Sequence, residues 1–323
     1  CASGTDALKI SLLAAGVGPG DAVFVPSFTF VATAEAVASV GASPVFVDVD
    51  ETTFNIDPGH LEMLAGLVAS AGRLRPRAVI PVDMFGLPAD YGAIEKTAGV
   101  HQMLVIADAT QSFGASAGGT RVGTLAPVSA TSFYPSKPLG CFGDGGCLFI
   151  RDREQATVMR QVARHGFGAD GHSAIHVGLN SRLDTLQAIV LLAKLRIFDD
   201  ELAARRRVVS WYEERLADVV TTPRCPADCT SVWAIYTVLT ENRDQVLAAL
   251  TDRQIGSAVY YRVPIHLQPA YADFGNGPGS LPVTEALCRK TLALPVHPYL
   301  TEKMVDHVTQ VVRGAVQERS WPG

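Results

Sequence analysis

Six short apolar runs, at residues 22–26, 44–48, 77–82, 103–107, 129–134 and 146–150, punctuate the first half of the chain. Their apolar residues are consecutive rather than alternating, the pattern of strands covered on both faces. Stretches with helical spacing lie between several of them, at 30–40, 58–70 and 90–98. Repeated strand–helix–strand units predict an α/β fold with a mostly parallel, doubly wound sheet. Beyond residue 182 the pattern changes. Residues 183–216 keep a helical period with few breakers and predict one long or slightly broken helix that joins two domains. The remainder reads as α+β, with strands at 232–239 and 257–260 and a helix at 243–251. A last helix at 302–317 puts Met304, Val305, Val308, Val311, Val312 and Ala315 on one face. The expected organisation is a large domain at 1–200 and a small C-terminal domain at 201–323, with the linking helix at about 182–217.

Composition narrows the partners. The chain has 323 residues, 48% hydrophobic and 18% charged, with a formal net charge of -5. That balance describes an ordinary globular protein. The one basic triplet, Arg205-Arg206-Arg207, is short and falls on a predicted helix, so no nucleic-acid partner is expected. No apolar run is long enough to span a bilayer and no signal peptide is visible, which predicts a cytoplasmic protein without a membrane partner. Six scattered cysteines lack zinc-site spacing and read as free thiols in a reducing compartment, with no metal site. The opening Cys1-Ala2-Ser3-Gly4-Thr5 reads as the middle of a motif, so an N-terminal segment is expected to be missing.

Four segments carry candidate chemistry. Lys137 follows an apolar strand and enters a Pro- and Gly-rich turn, Pro135-Ser136-Lys137-Pro138-Leu139-Gly140. A lysine held at a sheet edge and partly desolvated is an amine nucleophile; read alone, Lys137 is equally well a surface loop lysine. The other five lysines sit among polar residues in helical patterns and read as solvated ammonium groups. Asp108 directly follows the strand at 103–107, where an acid of a parallel sheet points into the ligand crevice. Alone, it reads better as a helix N-cap. Ser3-Gly4-Thr5 opens a helical run, and its free backbone N–H groups suit a phosphate or simply a cap. Phe30, in Ser27-Phe28-Thr29-Phe30, can cover a flat ring or pack in a core. Together the four offer a phosphate cradle, an aromatic lid, an acid and a nucleophilic lysine, all at strand ends of one sheet.

With these motifs the chain resembles the DegT/StrS-type sugar aminotransferases among the fold-type I pyridoxal-phosphate (PLP) enzymes. The run Ser132-Phe133-Tyr134-Pro135-Ser136-Lys137-Pro138-Leu139-Gly140 through Gly146 is its most specific stretch. The resemblance implies a mostly parallel seven-stranded sheet between helices and a small α+β C-terminal domain. It implies pyridoxal 5'-phosphate as cofactor, with Lys137 as the Schiff-base lysine and Asp108 on the pyridine nitrogen. Gln111 lies near the ring and its hydroxyl, Phe30 stacks on the ring, and Gly4, Thr5 and Ser132 hold the phosphate. Asn180 resembles the family residue that reaches the phosphate from a neighbouring subunit, so a homodimer with shared active sites is implied. Arg182 reads either as the partner of a substrate carboxylate or as a helix-start arginine in an ion pair. His165 and His266 lie in two segments that depart from the family pattern, 165–177 and 260–268, and are substrate-binding candidates. The expected partners are a nucleotide sugar, of the UDP-3-keto-hexuronate type, and L-glutamate as amino donor.

Three other readings compete. A PLP sugar dehydratase of the same fold carries His at the lysine position, where this chain has Lys137. A nicotinamide-dependent dehydrogenase needs its Gly-rich turn between a strand and a helix; Gly16-Val17-Gly18-Pro19-Gly20 follows a helix and precedes a strand. A non-catalytic PLP-fold sensor would be marked by loss of the lysine or the acid, and both are present.

Overall fold

The computed structural model describes residues 1–317. Residues 318–323, the end of the expected small domain, lie outside the described residues. In chain order, helix α1 (Gly4–Ala14) leads into β1 (Asp21–Pro26), α2 (Ala32–Ser39), β2 (Ser43–Val47), α3 (Pro58–Ala71), β3 (Arg75–Val79), α4 (Tyr91–Val100) and β4 (Leu104–Asp108). The short strands β5 (Ser116–Ala117) and β6 (Thr120–Arg121) precede β7 (Val128–Ser132), β8 (Gly146–Ile150) and α5 (Arg153–Val162). Then come α6 (Thr185–Leu195), α7 (Phe198–Leu216), β9 (Cys229–Thr230), β10 (Tyr236–Leu239), α8 (Arg243–Asp252), α9 (Pro282–Lys290), β11 (Thr291–Leu294) and α10 (Glu302–Gln317).

The main sheet has the order β2-β1-β3-β4-β7-β8. All its pairs are parallel except β7 with β8. Alternation along the strands sorts side chains to two cores, as a pleat of period two requires. Val23, Val25, Ala78, Ile80 and Ile106 pack with Leu8 and Ile10 of α1, Val37 of α2 and Met159 of α5. Ala22, Phe24, Val79, Val105 and Ala107 pack on the other face with Leu61 and Ala65 of α3 and Ile94 of α4. The chain runs from β1 outward to β2, then back across β1 to β3. The crevice beyond the carboxyl ends of β1 and β3 is therefore the switch point where ligands bind in open α/β sheets.

Where the expected seven strands would lie, the sheet has six among the described residues. Cys1 exchanges both backbone hydrogen bonds with Gly146 at the start of β8, and this single pair does not grow into a strand. The expected joining helix is broken. Arg196 and Ile197 bond three residues back, to Ala193 and Lys194, and this tighter turn separates α6 from α7. The expected strand at 257–260 shrinks to one bridge between Ala258 and Ala293, because the chain turns away at Tyr260. In α10 the buried stripe is Val305, Val308, Val312 and Ala315, which joins Val208, Tyr212, Tyr236 and Leu250 in a third core. Met304 lies one position off that row and is exposed.

Candidate active site

The ends of β1, β4 and β7, together with the start of α1, surround one cavity of about 490 Å³. Its lining includes Gly4, Thr5, Phe30, Asp108, Gln111, Ser132 and Lys137. Seven of the residues singled out in the sequence, from four separate segments, are thus brought together. The same lining holds Thr33, Thr110, Tyr134, Asp144, Tyr260 and Tyr261, which motif reading did not single out.

Asp108 is the last residue of β4 and is buried. Thr33 Oγ1 donates to its Oδ2 at 2.8 Å. Thr110 donates to its Oδ1 from the backbone N at 3.2 Å and from Oγ1 at 2.7 Å. Such charge-assisted bonds fix the carboxylate's plane. Gln111 Oε1 accepts from Phe85 N at 3.1 Å, and its side chain bonds the half-buried Tyr261, whose ring packs edge-on against Phe28.

The lysine turn is set by backbone crowding. Lys137 N donates to Tyr134 O and Cys141 N to Phe133 O, so the loop doubles back on itself. A Cβ at Gly140 would stand 2.6 Å from Pro135 O and 2.7 Å from Tyr134 O. Only glycine fits there. Helix α6 secures the rest of the loop. Lys194 Nζ donates to Gly140 O and sits 5.2 Å from the Phe142 ring centroid, while Gln187 Oε1 accepts from Phe142 N at 2.8 Å. Lys194 is therefore packed, not the solvated ammonium expected from its helical setting. Desolvation lowers the pKa of Lys137 from its usual value, and the charge of Asp108 partly opposes that shift. A lysine so placed reaches its neutral, nucleophilic form more readily.

At the opposite side, Ser3 caps α1 by accepting from Asp6 N at 3.1 Å. The N–H groups of Gly4 and Thr5 have no acceptor among the described residues, as expected in a first helical turn. A Cβ at Gly4 would stand 2.8 Å from Ser132 Cβ, so glycine lets the helix end approach β7. Free N–H groups beside a serine form an anion-binding corner.

The remaining candidates lie outside the lining. His266 is held within the fold. It is buried, with Nδ1 2.7 Å from Ser27 Oγ and Nε2 3.3 Å from Glu285 Oε1. Because its own N–H also donates to Ser27 Oγ, the hydroxyl hydrogen is free to donate to Nδ1. Burial lowers the pKa of His266, consistent with a neutral ring that ties β1's end to α9. His165, Asn180 and Arg182 are exposed. His165 has φ 63° and donates its N–H to Leu179, while Asn180 pairs in a bridge with Arg164. Among the described residues no cluster of His, Cys, Asp and Glu could hold a metal, and all six cysteines are free.

The model of the DegT/DnrJ/EryC1/StrS aminotransferase family matches residues 1–313. UDP-2-acetamido-2-deoxy-3-oxo-D-glucuronate aminotransferase of Pseudomonas aeruginosa is 49% identical, over 93% of this chain and 81% of the relative. UDP-N-acetyl-3-dehydro-alpha-D-glucosamine 3-aminotransferase of Acidithiobacillus ferrooxidans is 40% identical, over 97% and 82%. The crystal structure of a DegT DnrJ EryC1 StrS aminotransferase from Brucella abortus superposes with a TM-score of 0.95 at 50% identity, over 97% of this chain and 84% of that one. An acid and a lysine at the strand ends of a doubly wound sheet, in a chain matched over nearly its full length, identify an enzyme: the protein belongs to the DegT/DnrJ/EryC1/StrS aminotransferase family.

Proposed function

We propose that the enzyme transfers an amino group from L-glutamate to the keto carbon of a UDP-3-keto-hexuronate, with pyridoxal 5'-phosphate as cofactor. The observation that carries the reading is the meeting of Lys137 and Asp108, from the ends of β7 and β4, in one cavity with the start of α1. The two relatives, both acting on 3-keto UDP sugars by name, support the acceptor class. The residues present fit the cofactor. Gly4, Thr5 and Ser132 would hold its phosphate, Asp108 its ring nitrogen, Lys137 its aldehyde and Phe30 one face of its ring. Gln111 would lie beside the ring hydroxyl.

When bound, the cofactor supplies an aldehyde for covalent capture of an amine and a cationic ring that takes up charge from the substrate carbon. Asp108, held by Thr33 and Thr110, keeps the ring nitrogen protonated. Lys137 would take the proton from the donor's Cα as a general base and would hand one to the sugar carbon in the second half-reaction. Its lowered pKa suits both directions.

We also infer a homodimer. Asn180 and Arg182 lie exposed outside the cavity lining, on the same segment as His165. The outer face of α6 exposes Leu186 (75%), Ile189 (57%) and Leu192 (64%). Apolar surface of this extent supports a subunit contact, with Asn180 and Arg182 serving the neighbouring cavity. The division at residue 200 into a cofactor domain and a small C-terminal domain, and a cytoplasmic location, complete the reading. Among the described residues no helix is long and apolar enough to cross a membrane.

The test is a single-turnover assay of the amine-loaded enzyme against a panel of 3-keto and 4-keto nucleotide sugars. The reading expects the 3-keto hexuronate to be aminated fastest. Preference for a 4-keto sugar, or turnover retained by Lys137→Ala, would overturn it.

A further inference from the structure

Asp83 follows β3 and is fully buried (0%), yet among the described residues no cation is its partner. Its Oδ1 accepts from Ala89 N at 2.9 Å and from Tyr91 Oη at 2.7 Å. Its Oδ2 accepts from Ser112 Oγ at 2.6 Å. Its backbone N–H donates to Asp108 O at 3.0 Å, and the bridge between Val82 and Asp108 continues the β3–β4 pairing to this point. One side chain therefore joins the end of β3, the start of α4 and the turn 108–112 that carries Asp108 and Gln111. The ionisable groups that face it are Tyr91 of α4 and Asp108 of β4, the latter a like charge.

A buried carboxylate with neutral donors only is costly unless a positive charge comes near. A second carboxylate beside it adds repulsion. The energetics improve when a cation sits against Asp108 on the cavity side. We propose that Asp83 is a positioning residue that holds the 108–112 turn from behind and supplies a second negative charge to the cation bound at Asp108. This rests on the reading that Asp108 meets the protonated ring nitrogen of the cofactor.

Two ligands separate charge from shape: pyridoxal 5'-phosphate, and its carbocyclic analogue in which the ring nitrogen is replaced by carbon. Binding of each to the apoenzyme is measured by fluorescence quenching, without turnover. Asp83→Asn keeps the volume and can still accept from Ala89 and Tyr91. Asn55→Ala is the structural control. Asn55 ties down the adjoining loop through Met84 N, Leu87 O and Pro88 O, and bears no charge.

The wild type is expected to prefer the nitrogen-containing ligand. Asp83→Asn is expected to cut that preference roughly tenfold, the scale of one charge at an effective dielectric of about 20. Asn55→Ala is expected to weaken both ligands alike. Tyr91→Phe, which removes one donor from the carboxylate and preserves the ring, should move the preference in the same direction as Asp83→Asn and by less. It serves if Asp83→Asn does not fold. An unchanged preference in both Asp83→Asn and Tyr91→Phe, or an equal loss of both ligands, overturns the role of Asp83. A wild type that binds the two ligands equally overturns the assignment of Asp108 itself, and the proposal with it.

Discussion

At its floor the cavity is closed by polar side chains that satisfy one another, whereas its outer wall is bordered by apolar side chains open to solvent. On the floor, Asp108 is held by Thr33 and Thr110, and Asp83 by Ser112, Tyr91 and Ala89. All of these bonds lie within one chain and link strand ends of the rigid sheet. On the wall, Phe30 is 58% exposed and Tyr134 is exposed with it, and beyond the lining Phe142 and the outer residues of α6 are exposed as well. The floor is prearranged for charge at an energetic cost that folding alone must meet. The wall leaves apolar area uncovered, which an isolated chain has no means to bury. A site built this way fixes its electrostatics within one chain and leaves an apolar border for the proposed subunit contact to cover.

The sharpest way to break the comparison is at Lys137, where floor and wall meet. Lys137→Ala should lower turnover by at least about a thousandfold, the scale of a lost general base together with its covalent role. The loss of the visible absorbance band of lysine-linked cofactor checks that the amine itself is responsible. On the floor, Asp108→Asn keeps the shape and removes the charge. A fall in kcat of about 10²–10³-fold is expected, as for other prearranged electrostatic groups, with secondary structure unchanged by circular dichroism.

The floor's cost is also measurable in stability. Burial raises the carboxyl of Asp83 to about 6 from 3.8, so in this range the folded chain binds a proton that the unfolded chain releases. Its contribution is therefore full below about pH 4, falls as pH rises to about 6, and is absent above. The loss across that window is about 3 kcal/mol. Urea titrations of the apoenzyme from pH 4 to 7 should show the slope, and Asp83→Asn should remove it. On the wall, Ile189→Asp should weaken subunit association by at least about tenfold, read by sedimentation at several protein concentrations. The floor should be untouched, so the thermal midpoint of the isolated subunit should stay within a few degrees. The smallest effect is expected for Lys194→Met, which keeps the packing on Phe142 and removes the bond to Gly140 O. A rise in KM and fall in kcat of no more than about fivefold should follow, the scale of one ordinary hydrogen bond, because the bond acts on Lys137 only through its loop's backbone.

Much of this contrast was legible in the sequence. Consecutive apolar runs marked the strands of the main sheet, and turn-forming residues just beyond them marked the crevice, so Lys137, Asp108 and Phe30 could be picked out by position. Asp83 could not. It stands in Val82-Asp83-Met84, directly after the run at 77–82, the same local signal that marked Asp108, and position alone does not tell an acid buried behind the site from one that lines it. Its burial depends on Tyr91 and Ser112, which come from two other elements. Lys194 was misread for a related reason: its helical period placed it on a polar row, and only the fold brings the carbonyl of Gly140, 54 residues earlier, to that row. The partners of His266 were equally hidden. A histidine near a binding segment suggested substrate, yet Ser27, distant in sequence, claims its ring. Local pattern reports which elements form. It does not report which polar atoms meet across them.

Helix α6 has one face locked to the loop that follows Lys137 and the other bare. Gln187 and Lys194 face inward, and Leu186, Ile189 and Leu192 face outward, on a cylinder about 10 Å across. Any partner that presses on the bare face thus leans, through a single turn of helix, on the backbone that aims the reactive amine. In the homodimer proposed above, the number of copies in solution and the aim of that amine would become one mechanical variable, which dilution would vary.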